Sequence, residues 1–281
     1  MFTIVIPTLN NLKYLKFCIE SIYKNSKYKH QIIPHVNIGD DGTIEYLNKN
    51  SIEFTHTNYN AGICKGMNLA AKKASFDYIL YAHDDFYFCP DWDDVLKKEI
   101  QLIGHNNFYL SGTMVHNGQI KFNCGENIEE FDEVKLLENY QDHNFYDFQG
   151  STWAPHIIHK KIWDKVGGFS EEFYPGTGSD PDLNMKLWKK GVRYFKGIND
   201  FKVYHFGSIS LRKKIDITAN KGSTIFLKKW GISISFFKQK YLRSGEKFNK
   251  ELSDPKKSLS YYLGIFICKI KYFFILLKAN K

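Results

Sequence analysis

Four short stretches of the chain carry carboxylate and imidazole side chains at spacings that could do chemistry. They are Asp40-Asp41-Gly42, His83-Asp84-Asp85, Ser179-Asp180-Pro181-Asp182 and the single His205. Carboxylate oxygens are preferred ligands of Mg²⁺ and Mn²⁺, and imidazole nitrogen also binds transition metals such as Mn²⁺. A carboxylate next to a substrate hydroxyl can accept its proton as a general base. These residue types therefore indicate a divalent-metal site and acid–base chemistry, although turns and helix caps use the same residues.

The elements predicted around these stretches place several of them at the ends of strands. Apolar runs over residues 2–6, 35–38 and 78–82 indicate strands, and residues 62–74 carry apolar side chains at helical spacing. Strands that alternate with helices predict an α/β fold with a mostly parallel central sheet flanked by helices. Ligands of such sheets bind beyond the carboxyl ends of the strands. Asn10 and Asp41 are both expected at that edge, and Asp85 is expected beside them.

The order of three early motifs resembles the family 2 glycosyltransferases. The motifs are Thr3-Ile4-Val5-Ile6-Pro7-Thr8-Leu9-Asn10, Gly39-Asp40-Asp41-Gly42-Thr43 and Asn58-Tyr59-Asn60-Ala61-Gly62. Each motif alone is weak, whereas the ordered set is specific. The resemblance covers about residues 2–210. It implies the GT-A fold of nucleotide-diphospho-sugar transferases, a nucleotide-sugar donor with a UDP-sugar favoured, and inversion at the anomeric carbon.

The first two motifs are expected to bind the nucleoside of the donor. Asp41 follows a strand and can accept a hydrogen bond from a pyrimidine N–H or a ribose hydroxyl, so we assign it to the base. Pro7, Thr8 and Asn10 would line the nucleoside pocket. The alternative for Asp41 is a plain turn.

The third motif is expected to meet the donor phosphates. Asn60 and Gly62 open a predicted helix, and backbone N–H groups at a helix start can approach phosphate. Lys65 on the same helix would add a cation. Asp84 is also assigned to the donor.

The second acidic stretch is the predicted metal site. In the resembled family an Asp-x-Asp is followed, five residues after its last Asp, by a proline, and here Pro90 lies five residues after Asp85. Asp85 therefore keeps the expected metal ligand, whereas His83 replaces the first Asp. His205 lies where many GT-A enzymes supply a further metal or diphosphate ligand. The expected cofactor is Mn²⁺ or Mg²⁺, and His83 weakens an assignment to Mg²⁺ alone.

The third acidic stretch is expected to supply the catalytic base. Val166-Gly167-Gly168-Phe169-Ser170-Glu171-Glu172 precedes it and resembles the family's Gly-Gly-Phe-Asp-Glu. By that pairing Asp180 takes the place of the catalytic aspartate, and Ser179 replaces the usual glutamate. Asp182 is the rival for the role, and helix capping is the alternative for both.

Trp153 lies shortly before this stretch and is predicted to border the acceptor. An indole can stack on the face of a sugar, but a Trp of the core is an equally ordinary explanation.

Charge is distributed unevenly along the 281 residues. The net charge of +9 arises because residues 221–281 carry 14 Lys and Arg against 3 Asp and Glu, whereas the remainder is nearly neutral. This pattern argues against a nucleic-acid partner for the body. We therefore divide the chain into a GT-A domain, residues 1–212, and a basic, apolar helical extension, residues 213–281.

The extension ends in an apolar run over residues 259–277. Lys269 and Lys271 interrupt it and would be costly at the centre of a bilayer, which argues against a membrane-spanning helix. The alternatives are a helix in the membrane interface and a helix packed on the domain or a partner. The five cysteines form no CxxC pair, and the amino terminus shows no basic leader. We expect a cytoplasmic protein, with possible peripheral contact to the membrane face.

The sequence thus predicts a metal-assisted glycosyltransferase that acts on a glycan or lipid-linked acceptor, as in the synthesis of cell-surface polysaccharides or glycoconjugates. Arg212 and Lys213 could help to neutralise phosphate. A non-catalytic sugar-nucleotide or glycan-binding module is the alternative that His83 and Ser179 raise. A nucleotidyltransferase is disfavoured, because Pro7-Thr8-Leu9-Asn10 is not a glycine-rich phosphate loop.

Overall fold

A computed structural model describes residues 1–143, 145–207 and 221–279 of the chain. The strands are β1 (Thr3–Leu9), β2 (Gln31–Asn37), β3 (Thr55–Thr57), β4 (Tyr78–Tyr81), β5 (Phe86–Phe88), β6 (Phe108–His116), β7 (Phe148–Gln149), β8 (His156–His159) and β9 (Tyr194–His205). The helices are α1 (Leu12–Asn25), α2 (Thr43–Lys49), α3 (Gly62–Ala71), α4 (Trp92–Ile103), α5 (Glu133–Asn139), α6 (Lys160–Val166), α7 (Ser179–Lys189), α8 (Lys221–Trp230), α9 (Ile234–Phe237) and α10 (Leu259–Ala279). A 3₁₀ turn at Glu171–Phe173 and a π turn at Lys238–Leu242 complete the described elements.

The strands form one mixed sheet in the order β3-β2-β1-β4-β8-β6-β9-β5, with β7 beside β9. The amino-terminal half, β3 to β4, is parallel as predicted. In the other half β8 runs antiparallel to both β4 and β6, and β5 runs antiparallel to β9. The α/β class is therefore confirmed, and the antiparallel strands bring side chains from distant parts of the sequence to the edge where the parallel strands end.

Helices cover both faces of this sheet because the strands are apolar on both sides. In β1, Ile4, Val5 and Ile6 are all fully buried, which is typical of a strand between two helical layers. On α3, Gly66 lies so close to the ring of His35 on β2 that an added Cβ would come within 2.6 Å of it. The helix can approach the sheet at this point because the residue has no side chain.

The start of the basic extension is packed on the domain. Phe226 of α8, Phe237 of α9 and Leu242 are buried in the main hydrophobic core. Gly150 has a φ of +67°, and a Cβ there would overlap the backbone of Leu242. The predicted division at residue 212, like Arg212 and Lys213, lies outside the described residues.

Helix α10 is mostly exposed. One side packs on α9, where Gly264 contacts the ring of Phe236 and the Cys268 thiol lies 3.3 Å from the backbone N of Ser233. The other side exposes large apolar residues, namely Leu259, Tyr262, Leu263, Phe266, Ile267, Ile270, Phe273, Phe274, Leu276 and Leu277. By length and composition alone, residues 259–277 would suffice to cross a bilayer.

Candidate active site

The pairing of β5 with β9 brings together the residues that the sequence predicts as metal ligands. Phe86 pairs with His205 in this antiparallel ladder, so Asp85 lies directly beside the end of β9. The Asp85 carboxylate is 3.5 Å from His205 Nε2. One ligand atom each of His83, Asp85 and His205 lies within 4.8 Å of the others. Three residues predicted as ligands, from two separate motifs, therefore come together.

The protonation of the two imidazoles suits metal binding. The Asn117 carbonyl oxygen lies 2.7 Å from His205 Nδ1, and a carbonyl can only accept, so Nδ1 carries the hydrogen. In the neutral ring Nε2 then presents its lone pair towards Asp85, as in metal sites whose histidines are oriented by a carbonyl. Burial lowers the pKa of His83 to about 4, despite the opposing charge of Asp85. In their neutral forms both rings can present a nitrogen lone pair to a metal.

Asp84 points away from this cluster, towards β1. Its side chain is buried and accepts a 2.7 Å hydrogen bond from the hydroxyl of Thr8. Burial and the charge of Asp85 raise the pKa of Asp84 to about 7. Thr8 and Asp84, both assigned to the donor, thus bind each other and hold the end of β1 next to the cluster of His83, Asp85 and His205.

Asn10 and Asp41 hold the loops at the ends of β1 and β2. Asn10 Oδ1 accepts from the backbone N–H groups of Gly39 and Asp40 at 2.9 and 3.1 Å. Asp41 Oδ2 accepts from Leu12 N at the start of α1, and its Oδ1 accepts from the Thr43 hydroxyl. Asp41 remains exposed, and Pro7 is half-buried on the same strand as Thr8. The residues predicted to bind the nucleoside therefore lie at the carboxyl ends of β1 and β2. Hydrogen bonds to Asn10 and Asp41 hold the loops that follow these strands.

The start of α3 is less open to phosphate than its sequence suggests. The Gly62 N–H donates to Asn60 Oδ1 at 3.0 Å, and the Ile63 N–H donates to the Pro175 carbonyl. Gly62 has a φ of +76°, and a Cβ there would clash with the Tyr174 ring. Glycine is thus required by backbone geometry and close packing. Lys65 is not buried and donates to the hydroxyl of Tyr59.

Asp180 lies at the start of α7 with a side chain that is 26% exposed. Burial raises the pKa of its carboxyl to about 7. One oxygen, Oδ1, is 3.6 Å from Nδ1 of the buried His156 at the start of β8. A carboxyl with a pKa near neutrality can exchange a proton with a substrate at working pH.

Tyr81 lies between His83 and His156, the neighbour of Asp180. Its ring centroid lies 5.3 Å from that of His83 and 5.1 Å from that of His156. Because β4 ends at Tyr81 and pairs there with His156, the sheet itself sets this spacing. The predicted metal ligands and the predicted base therefore face one region beyond the end of β4.

Comparison with known proteins gives the family. The sequence model of "Glycosyl transferase family 2" matches residues 3–157, which is more than half of the chain. No curated protein sequence matches the chain. The chain belongs to glycosyltransferase family 2.

Solved structures support the fold of this glycosyltransferase. Residues 1–349 of TarS from S. aureus are 17% identical, with a TM-score of 0.54 over 73% of this chain and 60% of that one. TarS itself gives 0.55 at 17% identity over 74% and 37%, and TarS 1–349 in complex with UDP gives 0.54 at 17% over 72% and 59%. The present chain thus spans about 60% of the length of TarS 1–349. At this identity the likeness shows the GT-A fold.

Asp182 occupies a different environment from Asp180. Its carboxylate is fully buried and accepts from the Ser170 hydroxyl at 2.6 Å and from Trp230 Nε1 at 2.8 Å. Lys229 Nζ lies 3.0 Å away and neutralises it. These partners make Asp182 an anchor between α7 and α8; they are side chains and not backbone N–H groups of α7, so the carboxylate neither caps that helix nor has an oxygen without a partner.

Trp153 is held by its own hydrogen bond. Its Nε1 donates to the Gly112 carbonyl at 2.7 Å, and its ring meets Phe148 edge-on. One face still lines a cleft of about 620 Å³ bounded by Ser223, Ser235 and Lys238 among others. The side chain is therefore fixed in orientation beside an open space.

Sequence reasoning did not find His156, Asn117, Lys229 or Trp230. His156 and Asn117 stand in no motif, and Lys229 and Trp230 lie in the extension, more than 45 residues from Asp182. Strand pairing brings His156 and Asn117 to the site, and the packing of α8 on α7 brings Lys229 and Trp230.

The anchor role of Asp182 predicts a stability effect. Asp182→Asn should lower the free energy of unfolding of the glycosyltransferase by about 1–3 kcal/mol, because the amide nitrogen cannot accept the hydrogen bonds that the fully buried carboxylate receives and is itself left as a buried donor. The matched change Asp180→Asn should cost much less. Urea unfolding followed by tryptophan fluorescence measures both, and an equal loss in the two variants would contradict the assignment.

Proposed function

We propose that the enzyme transfers a sugar, with inversion, from a nucleoside-diphosphate sugar to an acceptor hydroxyl, assisted by a divalent metal. The observation that carries this proposal is the cluster of His83, Asp85 and His205 at the strand ends of a family 2 fold, with Asp180 on the same edge. A UDP-sugar is the favoured donor, because TarS 1–349 has been crystallised with UDP.

The donor set fits Mn²⁺ better than Mg²⁺. Two of the three ligands are imidazoles, which transition metals accept, whereas Mg²⁺ favours oxygen alone. Asp85 and His205 would hold the metal, with His83 completing the set. When bound, the metal would supply positive charge for the leaving diphosphate.

Asp180 would act as the general base. Its carboxyl is buried yet not fully enclosed, and its pKa of about 7 matches a proton transfer near neutral pH. The carboxylate would take the proton of the acceptor hydroxyl as that oxygen attacks the anomeric carbon in a single in-line displacement. Asp182 lacks this freedom because its oxygens already accept from Ser170 and Trp230.

The loop residues would hold the nucleoside. Asp41 is exposed, and its Oδ2 accepts from Leu12 N and can accept a second hydrogen bond, so it could receive a base N–H while still bracing α1 and α2. Asn10, Pro7 and Thr8 would shape the pocket.

Other residues would contact the donor phosphates and the acceptor. Lys65 would reach phosphate by releasing Tyr59, and Asn60 and Gly62 would set the shape of the α3 start, with the Gly62 N–H donating to Asn60 and not to phosphate. Asp84 would hold β1 through Thr8. Trp153 would present its free face to a glycan or lipid-linked acceptor in the adjoining cleft.

Helix α10 would lie on an anionic membrane surface, on the cytoplasmic side. Its 21 residues are about 31 Å long, and its apolar side is exposed next to a strongly basic chain segment. Lys269 and Lys271 would each cost about 2.5–3.5 kcal/mol at a bilayer centre, which favours the interface over a crossing. This location suits an enzyme of cell-surface polysaccharide or glycoconjugate synthesis.

The metal role predicts a loss of nucleotide affinity. Asp85→Asn should weaken UDP binding in Mn²⁺ by at least about 10-fold, because the diphosphate loses its metal bridge. The control is Asp77→Asn, an exposed change at the opposite end of β4. Calorimetry of UDP binding with Mn²⁺ and with EDTA measures the effect. Equal affinity in EDTA and Mn²⁺ for the wild-type enzyme would contradict a metal-dependent site.

The base role predicts a rate effect without a binding effect. Asp180→Asn should lower kcat by about 10²–10⁴-fold and leave the UDP Kd nearly unchanged. In the wild-type enzyme kcat/KM should rise with pH through about 7, since the ionised carboxylate is the active form. Released UDP measures turnover. A wild-type kcat in the variant removes Asp180 from the role, and UDP binding without turnover of any acceptor favours a binding module.

The membrane role predicts a loss of vesicle binding. Phe266→Ser combined with Phe273→Ser should reduce co-sedimentation with vesicles of phosphatidylglycerol and phosphatidylcholine, because both side chains are exposed on α10. Leu102→Ser is the control, since Leu102 is an exposed apolar residue of α4 and not of α10. Unchanged sedimentation of the α10 variant would refute membrane contact through this face.

A further inference from the structure

His156 is a buried histidine that the reaction as proposed does not use. The side chain is 1% exposed, and neither ring nitrogen has a hydrogen-bond partner among the described residues. A neutral imidazole always carries one N–H donor and one acceptor. A donor left unpaired in a protein interior is costly, so a buried histidine normally has a polar partner.

The surroundings of His156 leave few candidates for that partner. Its ring packs against Tyr109 at 4.7 Å, Tyr81 at 5.1 Å and Phe169 at 5.9 Å between centroids. These rings fix the plane and position of the imidazole. Among the described residues, Asp180 Oδ1 lies 3.6 Å from Nδ1 and is itself buried with no hydrogen-bond partner.

We propose that His156 is the positioning residue of the general base, with its Nδ1–H donating a hydrogen bond to Asp180 Oδ1. The proposal rests on the assignment of Asp180 as the base. A contact of 3.6 Å becomes a hydrogen bond after a small rotation of either side chain, and catalytic hydrogen bonds are often long before substrate binds. The bond leaves Asp180 Oδ2 to meet the acceptor hydroxyl.

The bond also stabilises the ionised form of Asp180. Burial lowers the pKa of His156 to about 3, so the ring donates as a neutral group. The other titratable groups that face Asp180 are Cys64 of α3, Tyr81 of β4 and Tyr109 of β6, and burial raises the pKa of each, so they stay neutral. None of these supplies a positive charge. The His156 donor therefore opposes the burial that raises the pKa of Asp180.

A pair of variants of equal shape tests the donor. Asn and Leu have similar branched side chains, and both remove the ring, but only Asn keeps an N–H near the position of Nδ1. The readout is the titration of the Asp180 carboxyl carbon by ¹³C NMR in the full chain labelled with [¹³C]aspartate. Its resonance is assigned by its loss in Asp180→Asn.

The expected result is a higher pKa of Asp180 in His156→Leu, by roughly one pH unit, with His156→Asn close to the wild type. His156→Phe keeps the aromatic packing without a donor and should show the same rise, which covers the case in which the Leu variant does not fold. Equal titration of Asp180 in the Asn variant and the donor-free variants would overturn the proposal. Because this readout needs no turnover, it is separate from the test of Asp180 as base by kcat.

Discussion

The ladder between β5 and β9 is the contact on which the site depends. Pairing of Phe86 with His205 sets Asp85 against the last residue of β9, although the two lie 120 positions apart in the sequence. Because β5 is only three residues long and buried on both faces, a slip of one position would exchange Phe86 and Phe88 with Tyr87 between the two buried clusters on either side of the strand. The core therefore fixes the separation of Asp85 and His205. The carbonyl of Asn117 then selects the tautomer of His205.

Burial has a second effect at the same edge of the sheet, since it adjusts the protonation of the groups found there. It raises the pKa of Asp180 to about 7 and lowers that of His83 to about 4. A neutral ligand and a titratable base are the forms that glycosyl transfer of this kind would use. Asp182, two residues from Asp180, differs because Lys229 supplies a counter-charge from α8. The extension thus contacts the helix that carries Asp180.

Much of the fold and part of the site could be predicted from the sequence. The strands β1, β2 and β4 and helix α3 are local patterns of apolar residues, and the motifs that follow them lie at the predicted edge. The convergence of His83, Asp85 and His205 was also expected. Their catalytic roles, with that of Asp180, stay predictions. The antiparallel insertion of β8 between β4 and β6 has no local signature, so the contact between His156 and Asp180 could not be anticipated. Packing of α8 on α7 depends likewise on long-range contacts.

The central claim is that the strand-end cluster binds the diphosphate of the donor through a metal. Crystals of the enzyme grown with UDP and Mn²⁺, measured on both sides of the manganese absorption edge, test it most directly. If the metal bridges the protein and UDP, we expect one anomalous peak within about 2–2.5 Å of the Asp85 carboxylate and His205 Nε2, in contact with the UDP diphosphate. UDP bound at this edge with no manganese peak, or a peak remote from Asp85, would contradict it.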